Sequence, residues 1–136
     1  MTRPAAVALV LAAGLCVGCG RSRQAKEAGT KGSLEGLRSG VSTYSRQNNG
    51  QYPVAFNQLY PRFIANIPPA FTAAHGEVAE VQAYGAEACS GAVIDGSRLK
   101  DTGGWGYVSD KSAPCWGRLF VDCTHSDSDG TAWHQR

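Results

Sequence analysis

The chain has 136 residues, 17 of them glycine, and a formal net charge of +2 at pH 7. This length allows one small domain. The nearly balanced charge, without a basic stripe, gives no reason to expect nucleic-acid binding. Aromatic and aliphatic residues recur to the end of the sequence, which is typical of a folded domain and not of a disordered chain. We therefore expect a loop-rich exported domain.

The N-terminal residues have the features of an export signal. A short positive segment, Met1–Pro4, precedes an apolar run over residues 5–15, which is shorter than the ~20 residues that a membrane-spanning helix needs. Small residues then lead to Cys19, as in the lipobox that this stretch resembles, although Cys16 stands where leucine is usual. We predict a signal peptide over residues 1–18, cleaved before Cys19; the alternative is an ordinary signal peptide with a cysteine nearby.

Lipid on Cys19 would tether the protein to a membrane, because several acyl chains anchor stably where one chain does not. The next residue is Gly20 and not aspartate. By the sorting rule of bacterial lipoproteins, this resembles an outer-membrane address. We therefore expect an envelope protein at the outer membrane, facing the periplasm or the cell surface.

Residues 19–24 predict a short polar linker, and a helical pattern follows from Ala25 to Asn48. Asn48 and the next two residues form an Asn-Asn-Gly stop signal. One apolar face repeats at spacings of three and four residues: Leu34, Leu37, Val41 and Tyr44. Because several glycines weaken this segment, we expect the helix to depend on packing against an apolar surface.

The rest of the chain predicts short elements. Residues 51–69 indicate a connector with one or two helical turns, and residues 92–94 a short strand. Alternation over residues 105–108 and 116–123 predicts a β-hairpin, and residues 131–133 add a final short strand. The sequence thus predicts an α+β fold in which one long N-terminal helix packs on a small antiparallel sheet with a C-terminal hairpin.

Two parts of the chain resemble bacterial type IV pilins and type II secretion pseudopilins. Residues 25–53, AKEAGTKGSLEGLRSGVSTYSRQNNGQYP, are similar to the second half of the pilin long helix and the turn after it. Residues 101–107 (DTGGWGY), 119–124 (LFVDCT) and 127–130 (DSDG), with Trp133, are similar to the C-terminal hairpin of that family. Both matches follow the family order, which implies a pilin-like domain over residues 25–136.

The sequence departs from pilins at its start. Pilins carry a glycine cleavage site, a phenylalanine, an acidic fifth residue and a long apolar half-helix, and residues 1–20 contain no such arrangement. We therefore expect a pilin-like domain on a lipid anchor. The resemblance implies a non-enzymatic component or accessory of a type II secretion or type IV pilus-like system, with pilin or secretion-system proteins as partners. The alternative is a free-standing lipoprotein that uses the domain to bind a ligand.

Three cysteines remain in the expected exported domain, where disulfides persist. Cys89 and Cys115 lie in loops rich in glycine, serine and proline, whereas Cys123 shares an apolar strand face with Leu119 and Val121. We therefore favour a Cys89–Cys115 disulfide, with Cys115–Cys123 as the alternative pairing. A zinc site made of these cysteines and His125 is disfavoured, because the sequence lacks a Cys-x-x-Cys pair.

The turn at residues 127–130, Asp-Ser-Asp-Gly, presents alternating carboxylates. Asp127 and Asp129 could bind Ca²⁺ through oxygen ligands, and the resemblance implies the same, because the major pseudopilins bind calcium in a C-terminal loop. The alternative is a solvated turn, since turns use these residue types.

Nothing in the sequence indicates catalysis. His75, His125 and His134 lie in different segments, and neither Gly-x-Ser-x-Gly nor His-Glu-x-x-His occurs. We therefore expect that the protein is not an enzyme.

Overall fold

The computed structural model describes residues 17–136, with side chains from Gly20 onward. The predicted signal peptide lies outside this range except for its last two residues. The elements are α1 (Val17–Gln47), β1 (Ala70–Thr72), β2 (Gly76–Val78), β3 (Val81–Tyr84), β4 (Cys89–Ser90), β5 (Val93–Ile94), β6 (Trp105–Val108) and β7 (Leu119–Val121), with short 3₁₀ turns between them. The predicted α+β class is confirmed.

The helix α1 buries one continuous stripe, and the stripe begins earlier than its apolar residues indicate. Leu34, Leu37 and Val41 are buried as predicted, but Glu27 and Thr30 continue the same spacing towards the N-terminus and are also buried. Residues 19–24, predicted as a linker, are helical.

The predicted stop at the end of α1 is confirmed. The side-chain amide of Asn48 donates to the carbonyl of Tyr44 at 2.8 Å. Asn49 and Gly50 then take positive φ angles of 55° and 80°, the left-handed conformation that ends helices. The chain can therefore turn back under the helix.

The central sheet has three strands in the order β3-β6-β7. The predicted hairpin is confirmed, since β6 and β7 pair antiparallel with Trp105 opposite Val121. However, β3 pairs parallel to β6, with Val81 opposite Trp105, so the sheet is mixed and not antiparallel throughout. The predicted strand at residues 92–94 is found as β5, which pairs with β4 in a separate two-stranded ladder.

The two faces of this sheet are covered by different parts of the chain. On one face, α1 packs over Trp105, Tyr107 and the alternate residues of β7. On the other face, Phe120 packs with residues of the 84–116 segment. Gly106 lies directly opposite Phe120 in the register, and a side chain at Gly106 would occupy the space of the Phe120 ring. The alternation predicted for β7 is therefore confirmed.

The connector is fastened to the sheet by two aromatic side chains. Tyr107 donates its hydroxyl hydrogen to the carbonyl of Pro53, and the indole of Trp105 donates to the carbonyl of Pro68 at 2.7 Å. One predicted turn of the connector is present as a 3₁₀ turn over Phe56–Leu59.

The final strand predicted at residues 131–133 is wrong. This segment makes an isolated bridge between Ser126 and Ala132 and then a 3₁₀ turn over Trp133–Gln135. Trp133 is fully buried in the core beneath α1. It fills space in the core from a 3₁₀ turn and is not part of a strand.

Candidate functional site

Four side chains that can bind metals or protons meet at one edge of the central sheet. Because β6 and β7 are antiparallel, the start of β6 and the end of β7 lie side by side. Asp101 lies in the loop before β6, Cys123 and His125 follow β7, and His75 lies in the turn between β1 and β2. One nitrogen, oxygen or sulfur atom from each of the four lies within 4.8 Å of the others. We call these four residues the His–Cys cluster.

The separations within the His–Cys cluster are short. Asp101 Oδ1 lies 3.3 Å from His75 Nε2, and its Oδ2 lies 3.5 Å from His125 Nδ1. Cys123 Sγ lies 3.6 Å from the same Nδ1 atom. Cys123 is fully buried, whereas the side chain of His125 is 55% exposed. The cluster therefore has a buried sulfur at its base and an open side.

The backbone holds Asp101 in an unusual conformation. Its φ angle is +59°, in the left-handed region that non-glycine residues seldom adopt. The N–H of Thr124 donates to its Oδ1 atom at 2.8 Å. Burial raises the pKa of Asp101, but this hydrogen bond and the neighbouring His75 and His125 outweigh that effect and lower the pKa below its usual value.

A second, buried carboxylate fixes the loop that carries Asp101. Asp122 accepts hydrogen bonds from the backbone N–H groups of Asp101 and Thr102 and, at 2.8 Å, from the Thr102 hydroxyl. It also accepts from the Tyr84 hydroxyl at 2.9 Å. Gly103 follows with a φ angle of +82°, and a side chain there would collide with His75. The loop is thus held against the His75 turn.

The His–Cys cluster does not have the arrangement of a catalytic relay. In such a relay the histidine uses one ring nitrogen towards the nucleophile and the other towards the carboxylate, but here Nδ1 of His125 faces both Cys123 and Asp101. Burial raises the pKa of the Cys123 thiol, which opposes formation of a thiolate nucleophile. The ligand atoms converge on one point instead.

The turn at residues 127–130, which we call the acidic turn, is occupied by cations of the chain itself. The fully buried carboxylate of Asp127 lies 3.1 Å from Lys31 Nζ and also pairs with Arg136. Asp129 pairs with the same two cations at 3.0 and 3.2 Å. Calcium binding at Asp127 and Asp129 stays a prediction, and the ion would have to displace both cations.

The environment of Asp127 shifts its titration strongly. Burial raises the pKa of Asp127, but hydrogen bonds from Lys31, from the backbone N–H groups of Thr131 and Asp129, and from Arg136 outweigh it and lower the pKa to about 2. Asp127 is therefore an ion-paired carboxylate at neutral pH.

The acidic turn is docked on α1 through Glu27. Ser128 donates both its backbone N–H, at 3.0 Å, and its hydroxyl to the buried Glu27 carboxylate. Burial raises the pKa of Glu27, but the hydrogen bonds from Ser128 and Arg23 lower it below its usual value. These contacts explain why a glutamate lies in the buried stripe of the helix.

The structure contains the favoured disulfide. Cys89 and Cys115 are bonded with their Cα atoms 5.7 Å apart, and Cys123 is a buried free thiol. The alternative pairing of Cys115 with Cys123 is not formed. The bond closes the segment that covers the Phe120 face of the sheet.

A cleft of about 390 Å³ lies between the end of α1 and the segment after the disulfide. Arg38, Arg46 and Arg118 line it together with Tyr52 and Trp116. Within the described residues, the buried indole N–H of Trp116 has no hydrogen-bond partner. The cleft therefore combines positive charge with aromatic surface.

Sequence reasoning missed His75 and Asp101 as members of a site. The available signal was the pair Cys123-x-His125, because residues two apart in an extended segment point to the same side.

The predicted lipid-bearing Cys19 lies in the first turn of α1. Among residues 17–136, no helix combines the length and apolar character needed to cross a membrane. Comparisons with protein-family models, with curated protein sequences and with solved structures found no match.

Proposed function

We propose that the chain is a lipid-tethered, non-enzymatic protein of the bacterial envelope, whose pilin-like domain serves a type II secretion or type IV pilus-like system as a component or accessory. The observation that carries this proposal is the projecting start of α1. Residues 20–26 are exposed on every side of the helix, and the buried stripe begins only at Glu27.

This exposed stretch of α1 is suited to act as a stalk. At 1.5 Å per residue, its seven residues extend about 10 Å beyond the first buried contact. Arg21, Arg23 and Lys26 make it cationic, which favours a position near anionic lipid headgroups. Cys19, the proposed lipid attachment site, stands at the base of this stalk.

The architecture of the domain supports the pilin-like part of the proposal. A single long helix covers one face of a sheet that ends in a hairpin, which is the arrangement that the resemblance implies. The Cys89–Cys115 disulfide fits an oxidising compartment outside the cytoplasm.

Metabolic labelling with radioactive palmitate tests the anchor. Wild-type protein is expected to carry the label and to fractionate with membranes, whereas Cys19→Ala loses the label. Cys16→Leu is the matched control, because it removes a neighbouring cysteine, places the usual lipobox leucine there and should keep the label. Labelling that persists in Cys19→Ala would contradict the anchor.

Cross-linking in intact cells tests the partnership. Photo-reactive residues placed on the exposed helix surface, at Gly29, Gly32 or Gly36, are expected to cross-link to pilin or secretion subunits in envelope fractions. These glycines have open space around them, so the probe does not disturb the fold. Recovery of the protein without such subunits would overturn the partnership and leave the anchor proposal intact.

A free-standing ligand-binding lipoprotein is the second candidate, and the arginine-lined cleft favours it. The positive lining and the Trp116 ring would suit an anionic ligand with an aromatic part. Quenching of tryptophan fluorescence by such ligands, lost in Arg118→Met and kept in Arg62→Met, would support this function. Arg62 is a suitable control because it lies outside the cleft.

A further inference from the structure

We propose that the His–Cys cluster is a binding site for one divalent zinc-class metal ion. The ligands are Nε2 of His75, a carboxylate oxygen of Asp101, Sγ of Cys123 and Nδ1 of His125. The proposal is independent of the lipid anchor and of the pilin-like role, because it rests only on the geometry of these four side chains.

The separations between these atoms suit a tetrahedral site. Zinc lies roughly 2.0–2.3 Å from nitrogen, oxygen and sulfur ligands. Two ligands of such a tetrahedron are therefore about 3.3–3.8 Å apart. The separation of 3.6 Å between Cys123 Sγ and His125 Nδ1 matches this edge length. Asp101 supplies a second edge through either oxygen, since Oδ1 lies 3.3 Å from His75 Nε2 and Oδ2 lies 3.5 Å from His125 Nδ1. One ligand atom from each of the four residues lies within 4.8 Å of the others. The more distant pairs, at up to 4.8 Å, would have to close by about 1 Å when the metal binds.

The chemistry of the ligands selects the class of metal. A thiolate and two imidazoles favour zinc and its transition-metal neighbours, whereas Ca²⁺ and Mg²⁺ prefer oxygen ligands throughout. With Cys123 as thiolate and Asp101 as carboxylate, the protein contributes a charge of −2, which one divalent cation neutralises. The described structure places no lysine or arginine in ion-pair contact with Asp101.

The surroundings hold the ligands in place before any metal arrives. Asp122 fixes the backbone of the Asp101 loop, and the Thr124 N–H orients the Asp101 carboxylate. The backbone N–H of His75 donates to the Thr72 hydroxyl oxygen at 3.2 Å. Such supporting contacts orient ligands and raise metal affinity.

Titration of the metal-free full-length chain with Zn²⁺, followed by calorimetry, tests the site. The protein carries no histidine tag and is first treated with a chelator. One equivalent of Zn²⁺ is expected to bind. His125→Ala and Cys123→Ala should each weaken binding by at least about 100-fold, since they remove direct ligands. His134→Gln is the matched control, because its ring supplies no ligand to the cluster and lies 3.3 Å from the backbone carbonyl of Cys123, not from its sulfur. This variant should bind as tightly as wild type.

Titration with Co²⁺ gives a second readout that does not depend on affinity. A tetrahedral site with one thiolate is expected to give a sulfur-to-cobalt charge-transfer band and strong visible absorption. Cys123→Ala should lose the charge-transfer band. Near-UV circular dichroism shows whether Cys123→Ala is folded. If it is not, His125→Ala still tests the site, because it removes a half-exposed side chain and should leave the fold intact.

Two results would overturn the proposal. One is the absence of saturable binding of a single Zn²⁺ ion by the wild-type chain. The other is zinc binding that is unchanged in His125→Ala and in folded Cys123→Ala, which would place the metal elsewhere.

Discussion

The His–Cys cluster and the acidic turn both contain partly or fully buried aspartates, yet they differ in what faces the carboxylates. At the acidic turn, Asp127 faces the side chains of Lys31 and Arg136. In the His–Cys cluster, Asp101 faces two histidines and lies beside a free thiol. A carboxylate-rich turn can therefore be complete without a ligand, whereas a group of ring nitrogens, a carboxylate and a thiol, with no lysine or arginine paired to it among the described residues, leaves room for a cation.

Loss of the buried carboxylate at the acidic turn should have the largest effect. Asp127→Ala is expected to lower the free energy of unfolding by about 3 kcal/mol, because two cations and two backbone N–H groups lose their acceptor. Urea unfolding of the variant measures this loss. Asp101→Asn is the matched change at the His–Cys cluster and should cost less than about 1 kcal/mol without metal. Equal losses in the two variants would remove the contrast.

Zinc should stabilise the protein through one of the two clusters only. At a free Zn²⁺ concentration of 100 times Kd, the free energy of unfolding is expected to rise by about 2.7 kcal/mol. Thermal unfolding with and without Zn²⁺ measures this increase. It should vanish in His125→Ala and persist in Asp129→Asn, and the reverse pattern would assign the metal to the acidic turn.

Acid should weaken the acidic turn over a defined range of pH. The pKa of Asp127 is lowered to about 2, below the value of about 3.9 expected in the unfolded chain. The unfolded state therefore takes up the proton first as the pH falls. The contribution of roughly 2 kcal/mol is present above about pH 5 and is lost progressively as the pH falls through 2.

Unfolding curves of wild type and Asp127→Asn, recorded from about pH 7 down to about pH 2, check this prediction. This range spans the pH values over which Asp127 takes up its proton in the unfolded and folded states. The difference in stability between the two proteins should be constant near neutral pH and should shrink in acid. A difference that stays constant down to pH 2 would show that Asp127 does not cause the acid sensitivity.

The smallest expected effect concerns Lys31. Lys31→Met should cost about 1 kcal/mol, since Asp127 keeps its contact with Arg136. If the acidic turn binds calcium, this variant should bind Ca²⁺ more tightly than wild type, because one competing cation is gone. Calorimetric Ca²⁺ titration of the two proteins measures the difference. Equal calcium affinity would mean that Lys31 does not compete with Ca²⁺ for the carboxylates of the acidic turn.

The sequence predicts those parts of the fold that rest on local periodicity. The β6–β7 hairpin and the apolar stripe of α1 follow from spacings of two and of three to four residues. The early start of the stripe could not be predicted, because Glu27 and Thr30 are polar. Besides local contacts with Arg23 and Lys26, they bond distant partners, Ser128 and Phe71, which local periodicity does not show. The parallel pairing of β3 with β6 joins segments that share no local signal.

The candidate site was harder to predict than the fold. The pair Cys123 and His125 is local, but His75 and Asp101 reach it only through the turn and loop that pack at the sheet edge. The sequence pattern shows neither the positive φ of Asp101 nor the close packing of its loop against His75. Residue spacing can identify half of such a site, and tertiary packing supplies the other half.

The neighbours Asp122 and Cys123 have a consequence for folding fidelity. They point to opposite faces of the sheet, where Asp122 receives the Tyr84 and Thr102 hydroxyl hydrogens and Cys123 enters the apolar core. A one-residue slip of β7 would exchange the two faces. It would bury a carboxylate without partners beneath α1, at a cost of several kcal/mol. The alternation of Asp122 and Cys123 therefore disfavours a hairpin in which β7 is shifted by one residue.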